Sequence, residues 1–216
     1  MYPEKTFFVF AGPNGSGKSS IIAGFSDAVK DLNYYCADEI AKEERFVAIP
    51  DEDTRNYEAM LEVERRVIDA LDASKQVAYE TVLSSDYKWS IIEYARAKGY
   101  FILSVFVSTN DPEINIARVH RRVKAGGHSV PDDKVLNRYS RSLSRLGRLL
   151  TYSDEAHAFD NSRDNQEASV VLIKLDDSIY YDRTCTWVTS AILSWQDASP
   201  EVKQQYRIIP TNKLTE

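Results

Sequence analysis

Residues 12 to 19 read Gly12-Pro13-Asn14-Gly15-Ser16-Gly17-Lys18-Ser19, which satisfies G-x-x-x-x-G-K-[ST] in full. These residue types suit the grip of a polyphosphate. Glycines at 12, 15 and 17 let the backbone curl so that successive N–H groups can point inward at phosphate oxygens. Lys18 can reach the β- and γ-phosphates and Ser19 can offer its hydroxyl to Mg²⁺. Ser20 continues into a helix whose positive end adds to the anion site. An apolar, β-favouring run (7–11) leads in and a helix-compatible run (19–29) leads out. Strand, loop and helix in that order make a chance glycine-rich turn the poorer account. The motif predicts binding of ATP with Mg²⁺.

Two carboxylates stand just after later strand-like runs. Asp38, in Cys36-Ala37-Asp38-Glu39-Ile40, could accept the proton of a substrate hydroxyl as its oxygen attacks phosphorus. A helix N-cap would suit an Asp before Ile40-Ala41-Lys42 equally well. Glu80 lies in Tyr79-Glu80-Thr81-Val82, at the end of an apolar run. It could order Mg²⁺ waters or bind substrate hydroxyls, and a plain surface carboxylate fits that setting poorly.

The basic residues are concentrated. Between Arg118 and Arg148 nine Lys/Arg face only Asp132 and Asp133, giving +7 in a chain of net charge −6. A solvated helix face would explain such a run, but a polyphosphate ligand gives it a client. Arg118 and Arg122, four apart, share one helix face, with Arg121 partly on it. Arg138, Arg141 and Arg145 repeat the arrangement on the next helix. Joined through Gly126-Gly127, the two helices predict a lid over about 118–148 that closes on phosphates and excludes water. His128 reads as a structural loop residue, and His120 and His157 carry no signal. Val170–Asp176 looks like a Walker B strand, yet Asp176 with Asp177 suits a turn, so it is set aside.

Strand-like runs cover 7–11, 34–37, 76–82, 100–108 and 169–175. Helical stretches cover 18–31, 54–73, 86–98, 112–124, 132–150 and 186–195. In the long helix, Tyr57, Met60, Leu61, Glu64, Val67, Ile68 and Leu71 form one apolar stripe with a polar interruption. The alternation predicts an α/β fold of P-loop NTPase type, a single domain over 1–216. Its sheet is expected to be mainly parallel and five-stranded, with helices on both faces, and the tail from about 198 loosely packed. In such folds ligands sit beyond the carboxyl ends of the strands. In a 2-3-1 order the Glu80 strand neighbours the loop strand.

The 216 residues suit one domain, and 43% apolar with 28% charged content is ordinary for a globular chain. Two cysteines are too few for a disulfide framework and lack metal-site spacing. No apolar run is long enough to span a bilayer, and the N-terminus lacks a secretory pattern. A cytoplasmic protein without membrane or nucleic-acid partners is expected.

With these residues in hand, the chain resembles the zeta-toxin family of P-loop kinases. The matching features are Ala11 to Ser19, Ala37-Asp38-Glu39-Ile40-Ala41, Tyr79-Glu80-Thr81-Val82-Leu83-Ser84, Gly99-Tyr100 and Phe106-Val107-Ser108. They continue with Arg118-Val119, Arg122-Val123, Gly126-Gly127-His128-Ser129-Val130-Pro131, Arg138-Tyr139 and Asp160-Asn161-Ser162. The resemblance implies an ATP- and Mg²⁺-dependent kinase acting on the 3′-hydroxyl of the amino-sugar of UDP-N-acetylglucosamine. It implies Asp38 as catalytic base and Glu80-Thr81 as a substrate-binding element. Lys18 and Ser19 become the phosphate and metal contacts, and Arg122 and Arg138, with Arg118 as rival, the lid's phosphate contacts. It also brings in an antitoxin protein as a candidate partner. Other readings are a kinase of another hydroxylated acceptor, a nucleic-acid 5′-kinase, and a partner-driven ATPase module. The last lacks its signature, since Leu143-Ser144-Arg145-Leu146-Gly147 has no glycine pair.

Overall fold

A computed structural model describes residues 2–24 and 32–214. Its sheet has eight strands, not five, in the order β2-β3-β1-β4-β5-β6-β7-β8. The strands are β1 (Thr6–Ala11), β2 (Asn33–Tyr35), β3 (Val77–Thr81), β4 (Phe101–Ser108), β5 (Glu155–Asp160), β6 (Ser169–Leu175), β7 (Ser178–Asp182) and β8 (Arg207–Thr211). β2, β3 and β1 lie in that order, so the Glu80 strand does neighbour the strand that leads into the glycine-rich loop. Pairing is parallel except at β5–β6 and β6–β7, so the sheet is mainly parallel, as expected.

β1 is buried throughout. Phe7, Val9 and Ala11 enter the larger core on one face, and Phe8 and Phe10 the smaller core on the other. A strand covered on both faces has no polar side to keep, which is why it reads as an unbroken apolar run.

Among the described residues the helices are α1 (Lys18–Gly24), α2 (Ala37–Ile40), α3 (Glu44–Val47), α4 (Glu52–Asp72), α5 (Trp89–Ala97), α6 (Pro112–Lys124), α7 (Asp132–Ser144), α8 (Leu146–Tyr152), α9 (Thr186–Ala198) and α10 (Val202–Gln205). The expected continuation of α1 to residue 31 lies outside the described residues. A 3₁₀ turn at Asp86–Lys88 precedes α5. The stretch expected as one helix over 132–150 is two, α7 and α8, meeting at Arg145. Asp51 caps α4 by accepting from the Thr54 N–H at 2.8 Å, and Asp111 caps α6 in the same way from Glu113 N–H at 2.9 Å. Pro112 occupies the first turn of α6, where its missing donor costs nothing. Ile116 and Val119 of α6 pack with Val130 and Val135 in a small core that joins α6 to α7.

The tail is packed. Val202 and Tyr206 are buried, Tyr206 lies 5.7 Å from Trp195 between ring centroids, and β8 pairs in parallel with β7. Asp176 and Asp177 form the turn between β6 and β7, away from the phosphate loop. Among the described residues no helix is long and apolar enough to cross a membrane.

Candidate active site

A cleft of about 710 Å³ opens beyond the carboxyl ends of β1, β2 and β3. Its floor is the loop between β1 and α1. Lys18 is buried there and donates to Gly12 O at 2.8 Å and Pro13 O at 3.0 Å. Burial pushes its ammonium pKa down, while Glu80, with Oε1 3.9 Å from Nζ, pushes it back up. Glu80 is itself anchored, its Oε2 accepting from Tyr34 OH at 2.6 Å. Ser19 and Ser20 are exposed at the cleft.

Side chains from three other segments hold the loop. Asn161, just past β5, donates from Nδ2 to Ser16 O at 2.8 Å. Gly17 has φ +91°, and a Cβ there would stand 2.1 Å from that same Nδ2, so only glycine passes beneath it. Asn115, fully buried in α6, donates to Asn14 O at 2.7 Å. Arg138 of α7 donates to Asn14 Oδ1 at 3.2 Å, and burial lowers its pKa.

Asp38 lies in the first turn of α2 and lines the cleft. The cap position belongs to Cys36, so Asp38 is free of the capping role that its sequence setting allowed. Arg122 of α6 comes within 3.8 Å of its Oδ2 and also donates to His128 O at 3.1 Å. Gly127 makes room for that arginine, since a Cβ there would be 2.6 Å from Arg122 Cγ. His128 Nδ1 donates to Glu52 Oε1 at 2.7 Å, tying the loop between α6 and α7 to the start of α4. Thr81 is buried, and its Oγ1 accepts from Leu83 N–H at 3.1 Å. Leu83 has φ +54°, an uncommon conformation for a branched residue, and it lines the cleft beside Thr81.

No protein-family model matches the chain. An uncharacterized protein of Haemophilus influenzae is 29% identical over 134 residues, which is 60% of this chain and 89% of that one. The structure is similar to the AvrRxo1-ORF1:AvrRxo1-ORF2 complex solved with sulphate ions, with TM-score 0.69 and 16% identity over 87% of this chain and 64% of that one. It is also similar to the PezAT toxin–antitoxin system of Streptococcus pneumoniae, with TM-score 0.57 and 13% identity over 78% and 72%. The likeness is one of fold, an α/β sheet, mainly parallel, with a glycine-rich loop following β1. The chain spans under two thirds of the AvrRxo1 chain it resembles.

One cleft of this fold gathers Asn14, Gly15, Gly17 to Ser20, Asp38, Glu80, Thr81, Arg118, Arg122 and Arg138. Gly12, Pro13 and Ser16 complete the loop beneath it without lining it. Arg141 also faces the cleft, whereas Arg145 turns to Asp86 at 2.9 Å and Arg148 to Glu93 at 2.8 Å. The basic run is therefore divided between site and surface. Sequence reasoning assigned no role to Asn115, Asn161 or Lys88. Asn161 fell within a quoted family motif, but nothing in its residue type named the loop as its partner.

Proposed function

We propose that this chain is an ATP- and Mg²⁺-dependent small-molecule kinase, acting on a sugar hydroxyl and best matched to the 3′-hydroxyl of UDP-N-acetylglucosamine's amino-sugar. The observation that carries the reading is charge segregation across one cleft. Asp38 and Glu80 stand on the β2–β3 side, and Arg118, Arg122 and Arg138 on the lid side, with Lys18 between. That is the layout needed to hold a triphosphate and deprotonate a hydroxyl beside it.

The donor set fits the phosphates. Arg118 Nη1 and Arg122 Nε, on two residues that line the cleft, are buried and find no hydrogen-bond partner among the described residues. Ser19 would hold Mg²⁺, which would supply neutralisation of the phosphate charge. Lys18 would exchange its two loop carbonyls for phosphate oxygens. Asp38 would accept the acceptor's proton as the hydroxyl oxygen bonds to the γ-phosphorus and the bond to the β-phosphate oxygen breaks. Arg122 and Arg138 would balance the charge that moves to the leaving ADP. The toxin–antitoxin context of the PezAT structure supports an antitoxin as a candidate protein partner.

The test is mass spectrometry of UDP-N-acetylglucosamine incubated with the protein and Mg-ATP, beside Asp38→Ala. Gain of one phosphoryl group, absent with the variant, is expected. No gain with ATP still bound would discard this acceptor and leave a kinase of another hydroxyl.

A further inference from the structure

We propose that Asp164 is the positioning residue for Arg118, setting its guanidinium so that Nη1 meets the phosphates of ATP. This deepens, and depends on, the reading of the cleft as an ATP site. Asp164 lies in the loop between β5 and β6 and does not line the cleft. Its Oδ1 accepts from Arg118 Nη2 at 2.9 Å and from Nε at 3.3 Å. Its Oδ2 accepts from Arg121 Nη2 at 3.0 Å. These two arginines, Arg118 first, hold the Asp164 carboxyl below the usual range, so it stays charged.

Arg118 does line the cleft, with a side chain only 16% exposed. Its Nη1 is buried and has no partner among the described residues. A guanidinium is planar and rigid, so fixing the Nε and Nη2 donors on one oxygen fixes where the N–H bonds of Nη1 point. Without that hold, ATP would have to order a long side chain on binding, at a cost in affinity. Arg121 is 59% exposed and lies outside the cleft lining. Its contact therefore secures Asp164 and does not serve the ligand. The same loop begins with Asn161, which holds Ser16 O, so one short segment braces both the phosphate loop and an arginine opposite it.

A carboxylate beside a phosphate-binding arginine could instead act as a competitor for it. The two roles predict opposite signs. ATP binding to the full chain, measured by calorimetry, decides between them without knowledge of the acceptor. Wild type and Lys18→Ala establish the ATP site itself. Asp164→Ala is expected to weaken ATP binding up to roughly tenfold, the cost of ordering one long side chain on binding. Asp164→Asn keeps an oxygen for Arg118 and should recover much of the loss. In an Arg118→Ala background, Asp164→Ala should change nothing further. Unchanged or tighter binding by Asp164→Ala, or an equal loss in the Arg118→Ala background, would overturn the role. Wild type that fails to bind ATP, or Lys18→Ala that binds as well, would remove the ATP reading and this role with it.

Discussion

Lys88 pairs with Glu64 across the wall of the cleft, and Glu64 is the polar member of the apolar stripe along α4. Glu64 is buried, at 6% exposure, and Lys88 is half-buried, at 15%. A buried carboxylate that loses its partner keeps its full desolvation penalty, typically about 3–5 kcal/mol. Lys88→Met should therefore lower the denaturation midpoint clearly, and Glu64→Gln with Lys88→Met should restore most of it. Urea titration of the three proteins checks this, and a Lys88→Met curve matching wild type would show that the pair contributes little.

Asp38 and Lys18 should separate in kinetics. Asp38 touches the cleft from α2 and holds no part of the phosphate loop. Its replacement by Ala should leave ATP affinity nearly intact and cut transfer by roughly 10²-fold or more, as for loss of a general base. Lys18→Ala should impair both. Paired ATP titrations and single-turnover transfer assays read the two effects.

Asn161→Ala removes the donor to Ser16 O. Losing such a bond costs about 1–2 kcal/mol when the acceptor is left buried. The expected result is a modest fall in thermal stability with a larger fall in ATP affinity, because the loop's shape is what the ligand reads. Equal ATP affinity would mean that the loop keeps its form unaided.

Thiol chemistry gives a pH-dependent check. Burial pushes the Cys36 thiol up to about 12, reinforced by the negative charges of Glu80 and Asp38, and burial likewise raises Cys185 to about 12. The thiolate is the nucleophile, so at pH 8 both should resist iodoacetamide in the folded protein and react once unfolded. Both should gain reactivity only as pH climbs toward those values. Intact-mass readings over time count the adducts.

Much of this was legible because local chemistry and global position agree at the loop. A glycine run between an apolar strand and a helix has few other uses, and Asp38 and Glu80 followed from where strands must end. What escaped has physical reasons. β5 reads Glu155-Ala156-His157-Ala158-Phe159-Asp160, short and polar-ended, with only Ala156 and Ala158 fully turned into the core. β8 contains Pro210, which ordinarily breaks a strand and is tolerated here because β8 is the edge of the sheet. Asn115 and Asn161 act on backbone carbonyls far off in sequence, and no local pattern marks such partners. The arginine run could not be divided by spacing alone, since Arg145 finds its carboxylate on another element.

The hold of Asn161 on Ser16 also bears on how the chain comes off the ribosome. Residues 12 to 19 are made before the side chain that seats Ser16, which lies 145 positions further on. A nascent chain that ends before β5 carries the whole phosphate-binding motif but not the donor that fixes its curve. On the function proposed above, ATP capture would then arise only once β5 and the turn after it are made, when the carboxylates and arginines of the cleft have already emerged.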